Sequence, residues 1–292
     1  IGGNAFVKGS VYGGSENGHV QHSTHVTIQE TRQIGAGYDK EQKKSLPKYA
    51  EAAFINPLTT PVTSENALAE CAHWDYDPSS GAPYDPNAKY LYNGKYYYDE
   101  NHENDAAGGS IVGKDGHTYY GYVFGGGSGY FPYEIKDADG NVIAHDWLAS
   151  AGVVEGNTKV EITGGHILTC VYGGNELTSV KGNCEVIMTG GTLGVPRSNE
   201  DILNKPVTCY LFGGGKGDQR EHFKMYTNVQ NTRVEVKGTA RIFGSVFGGA
   251  EDGHVSGNTE VNILGSAIIG MNGASYVDGN VFGGGRGFSG TE

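Results

Sequence analysis

Cysteine is scarce in this chain, and no two of its four cysteines form a Cys-x-x-Cys pair. Cys71, Cys170, Cys184 and Cys209 therefore lack the ligand spacing of a zinc site, and their spacing fixes no disulfide pairing. Their use leaves the redox compartment open. Positive charge is also short: 21 Lys and Arg stand against 33 Asp and Glu, a net charge of −12. That balance disfavours nucleic acid and anionic membrane as partners, since both repel an acidic surface. No apolar run is long enough to span a bilayer. The repeated segments carry no apolar stripe at helical spacing.

Several chemical signatures are missing too. The runs Gly125-Gly126-Gly127 and Gly213-Gly214-Gly215 lack the Lys-Ser/Thr of a phosphate-binding loop and open no helix. Asp137, Asp139, Gly140 and Asn141 begin like an EF-hand loop, but the twelfth position is Leu148 where a bidentate Glu is required, so a β-turn is expected. Gly18-His19, Gly165-His166 and Gly253-His254 bring to mind the histidine of β-helix polysaccharide hydrolases. Such enzymes also need converging acids, and no Asp-Asp or Asn-Thr-Asp step is present. His19 and His254 recur in register with the repeat, as structural turn residues do. Glu16, Glu176 and Glu251 recur after a glycine step. Stacked carboxylates are compatible with Ca²⁺, but the nonapeptide G-G-x-G-x-D-x-U-x is absent. These glutamates are expected in solvated turns, and no cofactor or metal is expected.

What the chain has in abundance is glycine: 49 of 292 residues. There is no Gly-X-Y period, so collagen is excluded, and the glycines sit beside Val, Ile and Phe, which argues against disorder. They belong to a repeat. A Val-aromatic-Gly-Gly step or a near copy occurs at 11–14, 123–126, 171–174, 211–214, 246–249 and 281–284. An Asn-Thr step recurs at Asn157-Thr158, Asn231-Thr232 and Asn258-Thr259, with Asn183-Cys184 and Ser23-Thr24 as variants. After it, apolar residues alternate, as Val160 and Ile162 or Val261 and Ile263, which is the strand period. One such unit cannot bury its own inner face, whereas stacked copies can. The expected fold is all-β: a parallel β-helix (β-solenoid) carrying an inserted α+β, hairpin-rich excursion. An antiparallel sandwich with glycine hairpins is the alternative. Stacking would superpose Asn157, Asn183, Asn231 and Asn258 as an amide ladder along one corner. Cys184 takes the place of Thr158 in the next repeat and reads as a small stacking residue.

Three segments follow: a first coil at 1–28, an insert at 29–120, and a β-solenoid at 121–292 with a hairpin insertion near 130–148. Within the insert, 39–54 and 63–74 read as short helices, the second behind a Ser/Thr cap. The segment 89–99, KYLYNGKYYYD, reads as a hairpin about Asn93-Gly94. A second hairpin is expected at 113–122. Trp74, Tyr84, Tyr90, Tyr92, Tyr96, Tyr97, Tyr98, Tyr119 and Tyr120 crowd this region. Two readings stand. They form a glycan- or protein-binding face, since tyrosine is large and rigid with a polar tip, or they glue the hairpins to the solenoid wall. Asp146, Glu155, Asp218 and Arg220 are the non-repeat candidates for catalysis in an enzymatic alternative, a β-helix polysaccharide lyase or hydrolase.

The grammar V-[YF]-G-G-G…G-N-T-x-V-x-I-x-G-G resembles the glycine-rich repeats of very large secreted and surface proteins of Bacteroidota, over residues 1–28, 121–129, 151–193 and 207–285. The resemblance implies an exported β-helical stalk or adhesin-like protein. The expected function is accordingly non-enzymatic: a segment of an extracellular or cell-surface adhesin or filament, with a phage or secretion-apparatus fibre as a further alternative. Expected partners are further repeats or other copies stacked head-to-tail, surface glycans or a host protein. Both ends fall inside the repeat grammar, as expected of a piece of a longer chain.

Overall fold

The computed structural model describes residues 1–7, 9–31, 33–35, 121–129, 150–194, 209–217, 227–270 and 279–287. It adds the backbones of strands Gly37–Tyr38, Phe54–Ile55, Tyr90–Tyr92, Lys95–Tyr97, Tyr133–Lys136 and Val142–Asp146. Among the described residues the fold is all-β and contains no helix.

Three parallel sheets hold the repeats, and none closes on itself. The long-strand sheet stacks Thr24–Ile28, Thr158–Ile162, Cys184–Met188, Thr232–Val236 and Thr259–Ile263, paired residue for residue. The short-strand sheet runs Phe6–Val7, Gln33–Ile34, His166–Ile167, Thr192–Leu193, Arg241–Ile242, Ile268–Ile269. The aromatic sheet runs Val11–Tyr12, Val123–Phe124, Val171–Tyr172, Leu211–Phe212, Val246–Phe247, Val281–Phe282. A fourth line of bridges joins Val20, Val154 and Val180, then Asn228–Val229 and His254–Val255. The chain visits one aromatic strand, one bridging valine, one long strand and one short strand per turn. It then enters the next aromatic strand one layer along. Five such coils begin at Val11, Val123, Val171, Leu211 and Val246, and Val281 begins a sixth. The arrangement is consistent with a β-solenoid.

Alternation in the long strands explains the core. Val26, Val160, Val186 and Val234 point inward beside Ile28, Ile162, Met188 and Val236, and all are buried. The aromatic strands contribute a column of rings, Tyr12, Phe124, Tyr172, Phe212, Phe247 and Phe282, with neighbouring centroids 4.8–5.0 Å apart. That spacing matches the strand separation of about 4.8 Å, so backbone pairing and ring stacking reinforce each other. The column needs glycine behind it. At Gly13, Gly125, Gly173, Gly213 and Gly248 a Cβ would come closer than 3.0 Å to the carbonyl oxygen of the next coil's glycine. None of these five has positive φ; close approach of backbone to backbone is what excludes a side chain. Thr24, Thr158 and Thr232 close the interior, each hydroxyl donating at 2.5 Å to a glycine carbonyl of the next coil's aromatic strand. Cys184 holds the equivalent strand position and is buried.

Outside the coils, Tyr90–Tyr92 pairs antiparallel with Lys95–Tyr97, Tyr92 opposite Lys95, where the tyrosine-rich hairpin is expected. Tyr133–Lys136 pairs antiparallel with Val142–Asp146 within the second insertion. Phe54–Ile55 pairs with Gly37–Tyr38, so Phe54 belongs to a strand and corrects the helical expectation at the end of 39–54. Aromatic and β-branched residues favour such a pleated pairing. The expected helix at 63–74 and the hairpin over 113–120 lie outside the described residues. Tyr122 is a fully buried core residue, tilted against Tyr172 at 6.2 Å, and takes no part in an exposed tyrosine face.

Candidate functional site

The six glycine steps are of two kinds, and the kinds alternate. Coils one, three and five carry Ser15-Glu16, Asn175-Glu176 and Ala250-Glu251 after the second glycine. Coils two, four and six carry a third glycine, then Ser128-Gly129, Lys216-Gly217 and Arg286-Gly287. Connections alternate with them. The chain enters the odd coils through short links at 8–10, 168–170 and 243–245, and the even coils through long ones at 35–122, 194–210 and 270–280. On the far side of the aromatic strand, odd coils turn over 13–19, 173–179 and 248–253, whereas coils two and four run through 125–153 and 213–227. The structural unit is therefore a pair of coils. Every excursion leaves from one of the two corners flanking the aromatic sheet.

Beneath these turns lie two buried acids. Glu176 and Glu251 are essentially inaccessible to solvent. Glu176 meets Lys216 Nζ at 3.2 Å and accepts from Tyr12 Oη at 2.7 Å. Glu251 meets Arg286 Nη1 at 2.6 Å and accepts from Tyr172 Oη at 2.5 Å. In each case the cation comes from the following even coil and the hydroxyl from two coils earlier. The expectation of solvated turns holds for exposed Glu16 and is corrected for Glu176 and Glu251. A buried carboxylate is tolerable because a countercharge and a hydroxyl replace its water. Burial drives the Tyr172 phenol well above its ordinary range, with the Glu251 charge adding to the shift, so Tyr172 stays a neutral donor. Cys170 lies beside this cluster; its Sγ takes a hydrogen bond from the Tyr210 amide at 3.3 Å, and burial raises its thiol far above the usual range. Ser10 and Ser245 Oγ hold the same role toward Tyr122 and Asn280. Cys170 thus stands in for a serine.

The outer face of the long-strand sheet carries a ladder of charge. Lys159 bridges Glu161 at 2.7 Å and Glu185 at 3.6 Å, and Arg233 bridges Glu185 at 2.7 Å and Glu260 at 3.7 Å and also contacts Glu235. Lys237 reaches Glu235 at 2.6 Å and His25 reaches Glu161 at 2.6 Å. The Lys159 hydrogen bond holds Glu161 below the usual carboxylate range, and the Lys237 hydrogen bond does the same for Glu235. Solvent screens such pairs, so each contributes little to stability. Each of the four glutamates Glu161, Glu185, Glu235 and Glu260 thus faces at least one Lys or Arg.

At the corner before the long strands, Asn183 N donates to Asn157 Oδ1 at 2.8 Å, Asn231 Nδ2 to Asn183 Oδ1 at 2.8 Å, and Asn258 N to Asn231 Oδ1 at 2.7 Å. Ser23 Oγ accepts from Asn157 N at the start of this line. Of the tyrosine-rich set, Tyr90, Tyr92, Tyr96 and Tyr97 lie on the paired hairpin backbones. Trp74, Tyr84, Tyr98, Tyr119 and Tyr120 lie outside the described residues. Glu155 is exposed beside the Val154 bridge and Asp146 ends a hairpin strand, while Asp218 and Arg220 lie outside the described residues. His19 and His254 are exposed; the half-buried His166 donates from Nε2 to the Gly194 carbonyl at 2.7 Å. Among the described residues no group of three or more His, Cys, Asp or Glu gathers to hold a metal.

Sequence reasoning overlooked the alternation of coil types, although its signal is plain once sought: a third glycine in every second step. No protein-family model, no curated protein and no solved structure matches the chain.

Proposed function

We propose that the chain is a non-catalytic β-solenoid scaffold, a segment of an extracellular surface adhesin or filament of the Bacteroidota repeat type. One observation carries this reading: the buried acids are used in packing coil on coil. Glu176 is engaged by Tyr12 and Lys216, and Glu251 by Tyr172 and Arg286, at equivalent positions one coil pair apart. A catalytic acid needs a unique setting and access to substrate, and these two have a repeated, closed one. Length and stiffness then come from the stack, and lateral contacts to glycan or protein come from excursions at the two corners beside the aromatic sheet. Long excursions on a rigid frame are where binding residues concentrate.

The test is incubation of the purified chain with a panel of acidic and neutral polysaccharides, reading depolymerisation and retention separately. The scaffold reading expects no turnover, with any retention lost on replacing 89–99 by a short glycine-serine linker. Sustained turnover that disappears in Asp146→Ala or Asp218→Ala would overturn it in favour of a carbohydrate-active enzyme.

A further inference from the structure

Two tyrosines of the ring column, Tyr12 and Tyr172, end on a buried carboxylate. As a scaffold the chain uses these hydroxyls only for packing, yet the arrangement has a second chemistry. A phenol that gives up an electron becomes a far stronger acid than any carboxylic acid. Its oxidation is therefore eased wherever a base already sits on the hydroxyl and takes the proton as the electron leaves. Both tyrosines hold such a base in place.

Tyr172 is the better placed of the two. Its Oη lies 2.5 Å from Glu251 Oε2, against 2.7 Å from Tyr12 Oη to Glu176 Oε2. Its ring is wholly buried between Phe124 and Phe212, with centroids 4.9 and 5.0 Å away and planes within 8° of its own. The electron-rich faces of those rings favour positive charge developing between them. Phenylalanine is harder to oxidise than tyrosine, so a charge entering this stretch of the column settles on Tyr172. Tyr122, also buried and 6.2 Å from Tyr172, is a further phenol through which the electron can leave. Protonating either acid removes the countercharge of its cation. The Arg286 side chain beside Glu251 is 25% exposed, so water can take over, whereas Lys216 beside Glu176 is 4% exposed and would be stranded.

We propose that Tyr172 and Glu251 form a one-electron redox site, from which the chain donates an electron to a high-potential oxidant such as an oxidised metal complex or an organic radical. One electron passes from the Tyr172 ring to the oxidant, which is reduced by one. The phenolic O–H bond breaks, and its proton moves along the existing hydrogen bond to form a new O–H bond on Glu251 Oε2. The products are a neutral tyrosyl radical, a neutral carboxylic acid and the reduced oxidant. A later electron from a one-electron reductant, with the same proton returning from Glu251, restores the phenol and the carboxylate. Burial keeps the radical from meeting a second one, so it cannot couple to dityrosine. Glu251 acts as the proton acceptor, and Phe124 and Phe212 hold the ring in place.

The experiment oxidises the purified 292-residue chain with photogenerated ruthenium(III) tris-bipyridine and reads electron paramagnetic resonance. A persistent neutral tyrosyl signal is expected, and its formation should slow in heavy water. The chain has 19 tyrosines, so the signal is assigned by 3-fluorotyrosine in place of Tyr172, which keeps the ring and the hydroxyl and adds a fluorine splitting. Glu251→Gln, which keeps an acceptor for the hydroxyl but takes no proton, should lower the yield at least tenfold with circular dichroism unchanged. Glu176→Gln should leave the yield within twofold. Absence of a persistent tyrosyl signal, a signal without fluorine splitting, or one that survives Glu251→Gln overturns the proposal. None of these outcomes bears on the scaffold reading, which polysaccharide turnover tests separately.

Discussion

Tyr172 Oη donates to Glu251 Oε2 at 2.5 Å although the two residues lie 79 positions apart and two coils apart in the stack. Arg286, from the coil beyond, completes the contact from the other side at 2.6 Å. Removing the hydroxyl alone, Tyr172→Phe, should cost about 1–3 kcal/mol, the usual loss for a buried hydrogen bond to a charged group. Removing the acid, Glu251→Ala, should cost more, because it takes away the Tyr172 and Arg286 contacts together. Urea denaturation of the three proteins checks the order; a larger loss for Tyr172→Phe would contradict it.

The glycine column yields a paired prediction. Gly173→Ala should destabilise the chain by about 1–3 kcal/mol or more, since the added methyl must push two coils apart against their strand pairing. Gly283→Ala places the same methyl at the end of the column, where nothing lies within 4 Å, and should be nearly neutral. Melting temperatures of the two variants measure the contrast directly.

Cys184 departs from the threonines above and below it. Burial pushes its thiol up to about 12, so it should resist a thiol-specific disulfide reagent at pH 8 and react fully only in denaturant. Cys184→Thr should place a hydroxyl where Thr158 and Thr232 make their carbonyl contacts, and should be neutral or stabilising by up to about 1 kcal/mol. Labelling kinetics and denaturation curves test the two statements independently.

His166 supplies a pH dependence. Burial lowers its pKa below the ordinary value near 6.5, against a smaller opposing effect of its hydrogen bond to Gly194. The unfolded chain therefore binds the proton more readily than the folded one. Stability from the neutral ring is fully present above about pH 6.5 and is lost as pH falls through the lowered folded value. His166→Gln should flatten the melting temperature between pH 7.5 and 5. Glu161 and Glu235, also lowered, act further toward acid, below the ordinary carboxylate value.

The long strands were legible from sequence because Thr-x-Val-x-Ile alternates over a full strand and each copy sits in register with the next. The Asn157–Asn183 contact was foreshadowed by spacing, since residues at one place in successive coils must superpose in a parallel stack. Burial of Glu176 and Glu251 was not legible. Their partners Lys216, Tyr172 and Tyr12 lie 40, 79 and 164 positions away, beyond any local pattern. The two-coil unit was written in the third glycine of 125–127, 213–215 and 283–285, but treating all six steps as one motif hid it. The two-residue strands were visible only as glycine steps, because a pair of residues carries no period of its own.

The most direct test of the central claim is cryo-electron microscopy of the protein isolated from its native source. The account predicts stiff rods with an axial rise near 4.8 Å per coil and a doubled period from the alternation of coil types. Compact particles without an axial repeat, or rods whose successive coils are all equivalent, would contradict it.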